Sequence, residues 1–303
     1  MFIDIHAHVQ RYPERVIQRF PTADELVALY DKLGIEKGVI LPVVSPEIYL
    51  PQTNEDILDA AEKYPDRLIP YCNVDPRAFA NSPFYPLDEV LQYYKDRGCK
   101  VIGEVMPNME LMDPLVQNLF RCAEKVDLPI VFDGSGSKTE SFGLYDDPGL
   151  PQLECTLQRF PNLKIFGHGP VFWSEIARLE TPGERAVMFK FGAKGQMGGN
   201  FPKGRIKEEG VVPKLFRKFE NLHGDLSDPT AYNAFARDDE YGPQFMEEFC
   251  DRLYFGTDIC GPGVPQYIVD MINLLTDWRD SKKISEKTFN KIAKENAIKL
   301  FGI

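Results

Sequence analysis

Short apolar runs alternate with amphipathic segments from one end of this chain to the other, and that alternation is its strongest constraint on fold. The apolar runs lie near residues 2–8, 37–44, 68–74, 100–106, 129–133, 164–168, 221–227 and 253–257 and have the length of strands. Gly38-Val-Ile-Leu-Pro-Val-Val44 is continuously apolar, the pattern of a parallel strand covered on both faces. Helical patterns between them cover Thr22–Leu33, Asn54–Tyr64, Leu87–Arg97, Pro114–Lys125, Leu150–Phe160, Trp173–Leu179 and Pro243–Asp251. Two closing helices are expected near Gln266–Leu275 and Ser285–Leu300. Thr22 before Ala-Asp-Glu and Ser285 before Glu-Lys-Thr are suitable N-caps.

Eight strand–helix units predict an α/β chain folded as a (β/α)8 TIM barrel, and 303 residues suit a barrel of about 250 residues with additions. A doubly wound open sheet is the rival. It usually has fewer strands, and no glycine-rich turn follows the first strand here. Residues 1–303 are expected to form one barrel, with an insertion at about 181–213 after the sixth strand. That insertion is rich in Gly, Lys and Arg without a convincing period, and reads either as a solvated excursion or as a lid over the catalytic face.

The formal charge of −11 argues against a nucleic-acid surface, which needs a basic stripe. No apolar run approaches the roughly 18 residues that span a bilayer, so no membrane partner is expected. No basic start leads into an apolar run, so no signal peptide is expected. The six cysteines lack close pairing and any Cys-x-x-Cys, as in a reduced cytoplasmic protein. A small-molecule substrate is the expected partner, and homo-oligomerisation stays open.

Two of the four histidines fall in Ile3-Asp4-Ile5-His6-Ala7-His8. Side chains alternate along a strand, so Asp4, His6 and His8 share one face, and two imidazoles so spaced can close on one divalent cation. The other predicted strands also end in ionisable groups: Glu104, Asp133, His168, His223 with Asp225, and Asp258. In a barrel such ends share one mouth. Several buried charges there are costly without a common partner, and a metal ion is the most economical one.

With these residues in place the chain resembles the amidohydrolase superfamily of metal-dependent barrels, in particular the amidohydrolase-related branch that includes the aminocarboxymuconate-semialdehyde and resorcylate decarboxylases. The resemblance runs from Ile3-Asp-Ile-His-Ala-His through Phe160-Pro-Asn-Leu-Lys-Ile-Phe-Gly-His-Gly and Tyr254-Phe-Gly-Thr-Asp to Ile292-Ala-Lys-Glu-Asn-Ala-Ile-Lys-Leu-Phe, nearly the whole chain. It implies His6 and His8 as metal ligands, His168 as the strand-six histidine and Asp258 as the strand-eight aspartate. Family members usually carry a metal-binding histidine at the end of strand five, where this chain has Asp133. Asp133 could still bind a metal or could bind substrate, and Glu104 is the obvious replacement ligand. Zn²⁺ is the expected ion, with Mn²⁺ as the alternative that more oxygen ligands would favour.

The expected roles follow. Asp258 takes the proton of a metal-bound water, and His168 orients that water or stabilises the oxyanion. The glycines on both sides of His168 suggest close backbone approach. Asp4 lies deeper and supports rather than ligates, and His223 packs. Trp173 either stacks on a substrate ring or packs the start of the sixth helix. Hydrolysis of an ester, lactone or amide is the leading function. Decarboxylation of an aromatic or enoic acid is the rival, in which Lys190, Lys194, Lys203, Arg205 and Lys207 could meet a carboxylate. A barrel kept only for binding is the third reading.

Overall fold

The computed structural model describes residues 1–12, 19–48, 52–139, 141–181, 185 and 201–303. In chain order these form β1 (Phe2–Asp4), α1 (Ala23–Leu33), β2 (Ile35–Ile40), α2 (Asn54–Lys63), β3 (Leu68–Pro70), α3 (Leu87–Asp96) and β4 (Ile102–Val105). There follow α4 (Pro114–Val126), β5 (Ile130–Ser135), β6 (Leu144–Tyr145), α5 (Pro151–Arg159), β7 (Ile165–His168), α6 (Gly169–Ser174), α7 (Val211–Lys218) and β8 (Leu222–Asp225). The chain closes with α8 (Asp228–Ala236), α9 (Tyr241–Phe249), β9 (Leu253–Tyr254), α10 (Gln266–Asp280), α11 (Glu286–Asn290) and α12 (Asn296–Phe301). It divides into two compact units, Met1–Pro42 with Leu50–Tyr71 and Gly224–Ile303, and Val43–Tyr49 with Cys72–His223.

In the first unit β1 pairs in parallel with β2, and β2 with β3. Beyond β1 the chain stays extended: Ile5 N–H donates to Phe255 O at 3.1 Å, His8 N–H to Ile259 O at 3.0 Å, and Ala7 bridges Ile259. β8 and β9 run parallel with Gly224 opposite Leu253 and Asp225 opposite Tyr254. These pairings lay the ends of β1, β8 and β9 side by side. Helix α1 opens on a capping box between Thr22 and Glu25, ends on left-handed Gly34, and buries Leu26, Leu29 and Tyr30 along one face. Phe2 packs against Phe255 and Phe289, with ring centroids at 4.6 and 5.7 Å.

In the second unit β4, β5 and β7 are parallel neighbours, and β6 adds two residues beside the end of β5. Asp133 of β5 stands opposite His168 of β7. Asp113 caps α4, with Pro114 in its first turn.

Besides α8, for which the sequence predicts no helix, two helices depart from expectation. The helix after β7 begins at once on Gly169-Pro170 and ends at Ser174, not Trp173–Leu179, because Pro170 suits a first turn. The expected excursion at 181–213 overlaps the start of α7, since Pro213 sits in that first turn without breaking it. Residues 182–184 and 186–200 of that excursion, Lys190 and Lys194 among them, lie outside the described residues. Among the described residues no helix is long and apolar enough to cross a membrane.

Candidate metal centre

In the first unit the extended chain beyond β1 buries Ile5 and Ala7 on one side and turns His6 and His8 to the other, where both rings are also buried. His6 Nδ1 donates to Asp225 Oδ2 at 2.6 Å, and His8 Nδ1 faces Leu41 O at 3.3 Å. A carboxylate and a carbonyl can only accept, so each imidazole is assigned its proton on Nδ1, leaving a lone pair on Nε2. The two Nε2 atoms lie 3.2 Å apart, and Asp258 Oδ1 lies 3.7 Å from His6 Nε2 and 3.5 Å from His8 Nε2. Three acceptor atoms thus face one another. Around a tetrahedral ion with bonds of ~2.1 Å, ligand atoms stand ~3.4 Å apart. The donor set fits a divalent cation.

The surroundings hold this triangle in place. Asp258 N–H donates to His6 O at 2.8 Å, and Asp258 has a left-handed backbone with φ of 51°. Its carboxylate keeps 20% exposure, unlike the buried imidazoles, so it is the member open to solvent. Asp4, fully buried, accepts from His6 N–H (2.9 Å), Thr257 N–H (2.9 Å), Thr257 Oγ1 (2.6 Å) and Tyr30 Oη (2.8 Å). Burial pushes its pKa up to about 7, against the pull of those four bonds. The residue next to Thr257 has to be glycine: a Cβ on Gly256 would lie 2.7 Å from Asp225 Oδ1 and 2.8 Å from Ser227 Cβ.

In the second unit Glu104 of β4, Asp133 of β5 and His168 of β7 are buried together, each offering a ligand atom within 4.8 Å of the others. His168 Nε2 lies 3.5 Å from Glu104 Oε1. Asn73 donates to Glu104 O at 2.5 Å and fixes that strand end. Both glycines flanking His168 mark close approach: a Cβ on Gly169, whose φ is +81°, would stand 2.0 Å from Asp133 Oδ1, and one on Gly167 would enter the Phe172 ring.

The structure therefore brings His6, His8 and Asp258 together, and likewise Glu104, Asp133 and His168. Trp173 has 1% exposure and packs edge-on to Phe172 at 4.9 Å, the packing alternative rather than the substrate-stacking one. His223 is buried and stacks on Phe166 at 5.0 Å. Asp225 is the residue to which the sequence alone assigns no role. It is visible there as a polar strand end, but nothing local ties it to a histidine 219 positions away.

Parallel strands alternating with helices along the chain place it in the (β/α)8 barrel class. The amidohydrolase family profile matches residues 3–303, and the chain belongs to that family. No curated protein matches the sequence. Among solved structures it is similar to a probable 2-pyrone-4,6-dicarboxylic acid hydrolase from Acinetobacter baumannii with citric acid bound (15% identity, 100% of this chain and 99% of that chain, TM-score 0.60). It is similar to 5-carboxyvanillate decarboxylase from Novosphingobium aromaticivorans complexed with manganese and 4-hydroxy-3-methoxy-5-nitrobenzoic acid (16%, 100% and 96%, TM-score 0.59). A third is an amidohydrolase from Burkholderia multivorans with bound zinc (14%, 100% and 99%, TM-score 0.60).

Proposed function

We propose that this chain is a metal-dependent hydrolase of a small-molecule ester, lactone or amide. The observation that carries the reading is the triangle of His6 Nε2, His8 Nε2 and Asp258 Oδ1, 3.2 to 3.7 Å on its sides. His6, His8 and Asp258 would hold the cation. The cation would be zinc, or manganese, as in the similar structures from Burkholderia multivorans and Novosphingobium aromaticivorans. When bound, it lowers the pKa of a water toward neutrality and polarises a carbonyl oxygen.

The protein's own part is positional and protonic. Asp225 holds the proton on His6 Nδ1 and keeps Nε2 available. Asp258, the solvent-open member, accepts a proton at its carboxylate and returns it to the leaving group.

A second reading, decarboxylation of an aromatic or enoic acid, draws support from the full-length likeness to the manganese-bound decarboxylase. The deciding experiment loads the purified protein with zinc or manganese and offers lactones, esters, amides and aromatic carboxylates. Acid release from the neutral substrates supports hydrolysis. CO₂ release from the aromatic acids replaces it with the second reading. Protein that takes up no metal and turns over neither panel is a binding barrel.

A further inference from the structure

Asp258 has an unusual backbone for a residue with a side chain, and the first turn of α10 holds it there. Its φ of 51° is left-handed, a conformation that an aspartate adopts more readily than most residues but still needs support to keep. Tyr267 supplies that support. Its phenolic Oη lies 3.1 Å from Thr257 O and 3.3 Å from Asp258 O, so one hydroxyl spans both carbonyls of the peptide pair leading into and out of the turn. On the other side Asp258 N–H is bonded to His6 O, and Thr257 is bonded to Asp4 through its N–H and its hydroxyl. The turn is thus gripped from β1 and from α10.

Helix α10 is a firm base for this grip. Ile268, Met271, Leu275 and Trp278 recur at helical spacing and are buried, which fixes the helix and its first turn. Between Asp258 and α10 the chain runs Ile-Cys-Gly-Pro-Gly-Val-Pro265, in which Ile259 is bridged to Ala7 and the next six residues form neither helix nor strand. The Tyr267 hydroxyl contact bypasses that loop. It acts on Asp258 through the backbone and touches none of the atoms that would meet a metal or a substrate.

We infer that Tyr267 is a positioning residue, whose hydroxyl locks the left-handed turn at Asp258 and so aims the carboxylate at the Nε2 atoms of His6 and His8. The inference rests on the metal-centre reading above. With the hydroxyl removed, Asp258 is free to relax toward a right-handed backbone, which swings its side chain away from the two imidazoles. Outer groups that orient metal ligands typically account for about 10- to 100-fold in metal affinity.

The test is Tyr267→Phe, which removes one oxygen and keeps the ring. The affinity of the metal-free protein for zinc and for manganese is measured by competition with a chromogenic chelator, beside the thermal midpoint of the metal-free form. The expected result is metal binding weaker by about tenfold or more, with a midpoint close to that of the parent. Unchanged metal affinity overturns the inference, whether the midpoint falls or holds. If Tyr267→Phe does not fold, Tyr267→Leu takes its place in the same titration: weaker binding supports the inference and unchanged binding overturns it. Asp258→Asn and the parent protein run alongside. A parent that binds no metal defeats the metal-centre reading itself, while a parent that binds and a Tyr267→Phe variant that binds equally well defeats only the role of Tyr267.

Discussion

Replacing Asp225 by Asn should damage metal binding more than the harsher change to Ala. Asp225 Oδ1 accepts the Ser227 N–H at 2.9 Å while Oδ2 receives His6 Nδ1–H at 2.6 Å. An asparagine has one acceptor oxygen and one donor nitrogen to fill these two places. The Ser227 amide is backbone and can only donate, so it claims the oxygen. The side-chain NH₂ then points at His6 Nδ1, and the ring accommodates a donor there by moving its own proton to Nε2. That proton lies on the face 3.2 Å from His8 Nε2, where the ligand lone pair belongs. Ala leaves His6 its preferred tautomer and removes only the orienting bond. The expected weakening of metal affinity is ~100-fold for Asp225→Asn and ~10-fold for Asp225→Ala, or ~2.7 and ~1.4 kcal/mol. Ala should also lower stability by about 1–3 kcal/mol, since it leaves a buried N–H without its acceptor. Chelator competition on the metal-free proteins reads the first quantity, and urea unfolding reads the second. An Asp225→Asn variant that binds within twofold of the parent, or more tightly than Asp225→Ala, refutes the tautomer argument.

Asp258→Asn should abolish turnover with the fold retained, because an amide neither takes the proton nor ligates well; kcat and far-UV circular dichroism check both halves, and near-normal kcat removes Asp258 from proton transfer. Gly256→Ala places a Cβ 2.7 Å from Asp225 Oδ1 and 2.8 Å from Ser227 Cβ, so it should cost about 1–3 kcal/mol in stability and weaken metal binding together; an unperturbed urea midpoint contradicts this. The pH test concerns Asp146, whose pKa burial pushes from 3.8 to about 6 against the backbone N–H groups of Leu153, Gln152 and Asp147 and the charge of Arg185. The folded protein then holds a proton between pH ~3.8 and ~6 that the unfolded chain has released, so this group's stabilisation is full below that window and lost as pH rises through it, by ~3 kcal/mol. The stability of the parent relative to Asp146→Asn should therefore fall across that window and stay level above it. A difference independent of pH counts against the buried acid.

The strands and the shared face of the two N-terminal histidines are legible in the sequence because both are written in local spacing. A two-residue period places His6 and His8 on one face whatever else the chain does, and the apolar runs mark the parallel strands. Helices announced by a cap, as at Thr22 and Ser285, appear where expected, each with its side chain accepting a backbone N–H. Helix α8 opens on Ser227-Asp228-Pro229, a start signal of serine with proline in the first turn, but its apolar face is weakly patterned and no helical period stands out there. Trp173 is the reverse case: an aromatic residue beyond a strand end suggests a ligand platform, and only the packing of Phe172 shows that its surface is already covered.

The deeper limit is that a strand-end aspartate does not declare its partner. Asp4 and Asp225 are the same residue type, and both have 0% exposure in the same unit. Asp4 receives two backbone N–H groups and two hydroxyls and so ties β1 to the turn after β9 and to α1. Asp225 receives an imidazole N–H and so sets which nitrogen of His6 faces outward. The difference arises from pairing at long range, since Thr257 lies 253 positions from Asp4 and His6 lies 219 from Asp225. Gly256 is where these two arrangements become one constraint. It precedes the Thr257 that Asp4 holds, and its missing side chain is the space that Asp225 and Ser227 occupy. In the Phe-Gly-Thr-Asp run the aspartate supplies the candidate ligand and the threonine its anchor, and the glycine makes room for the carboxylate that orients the first histidine.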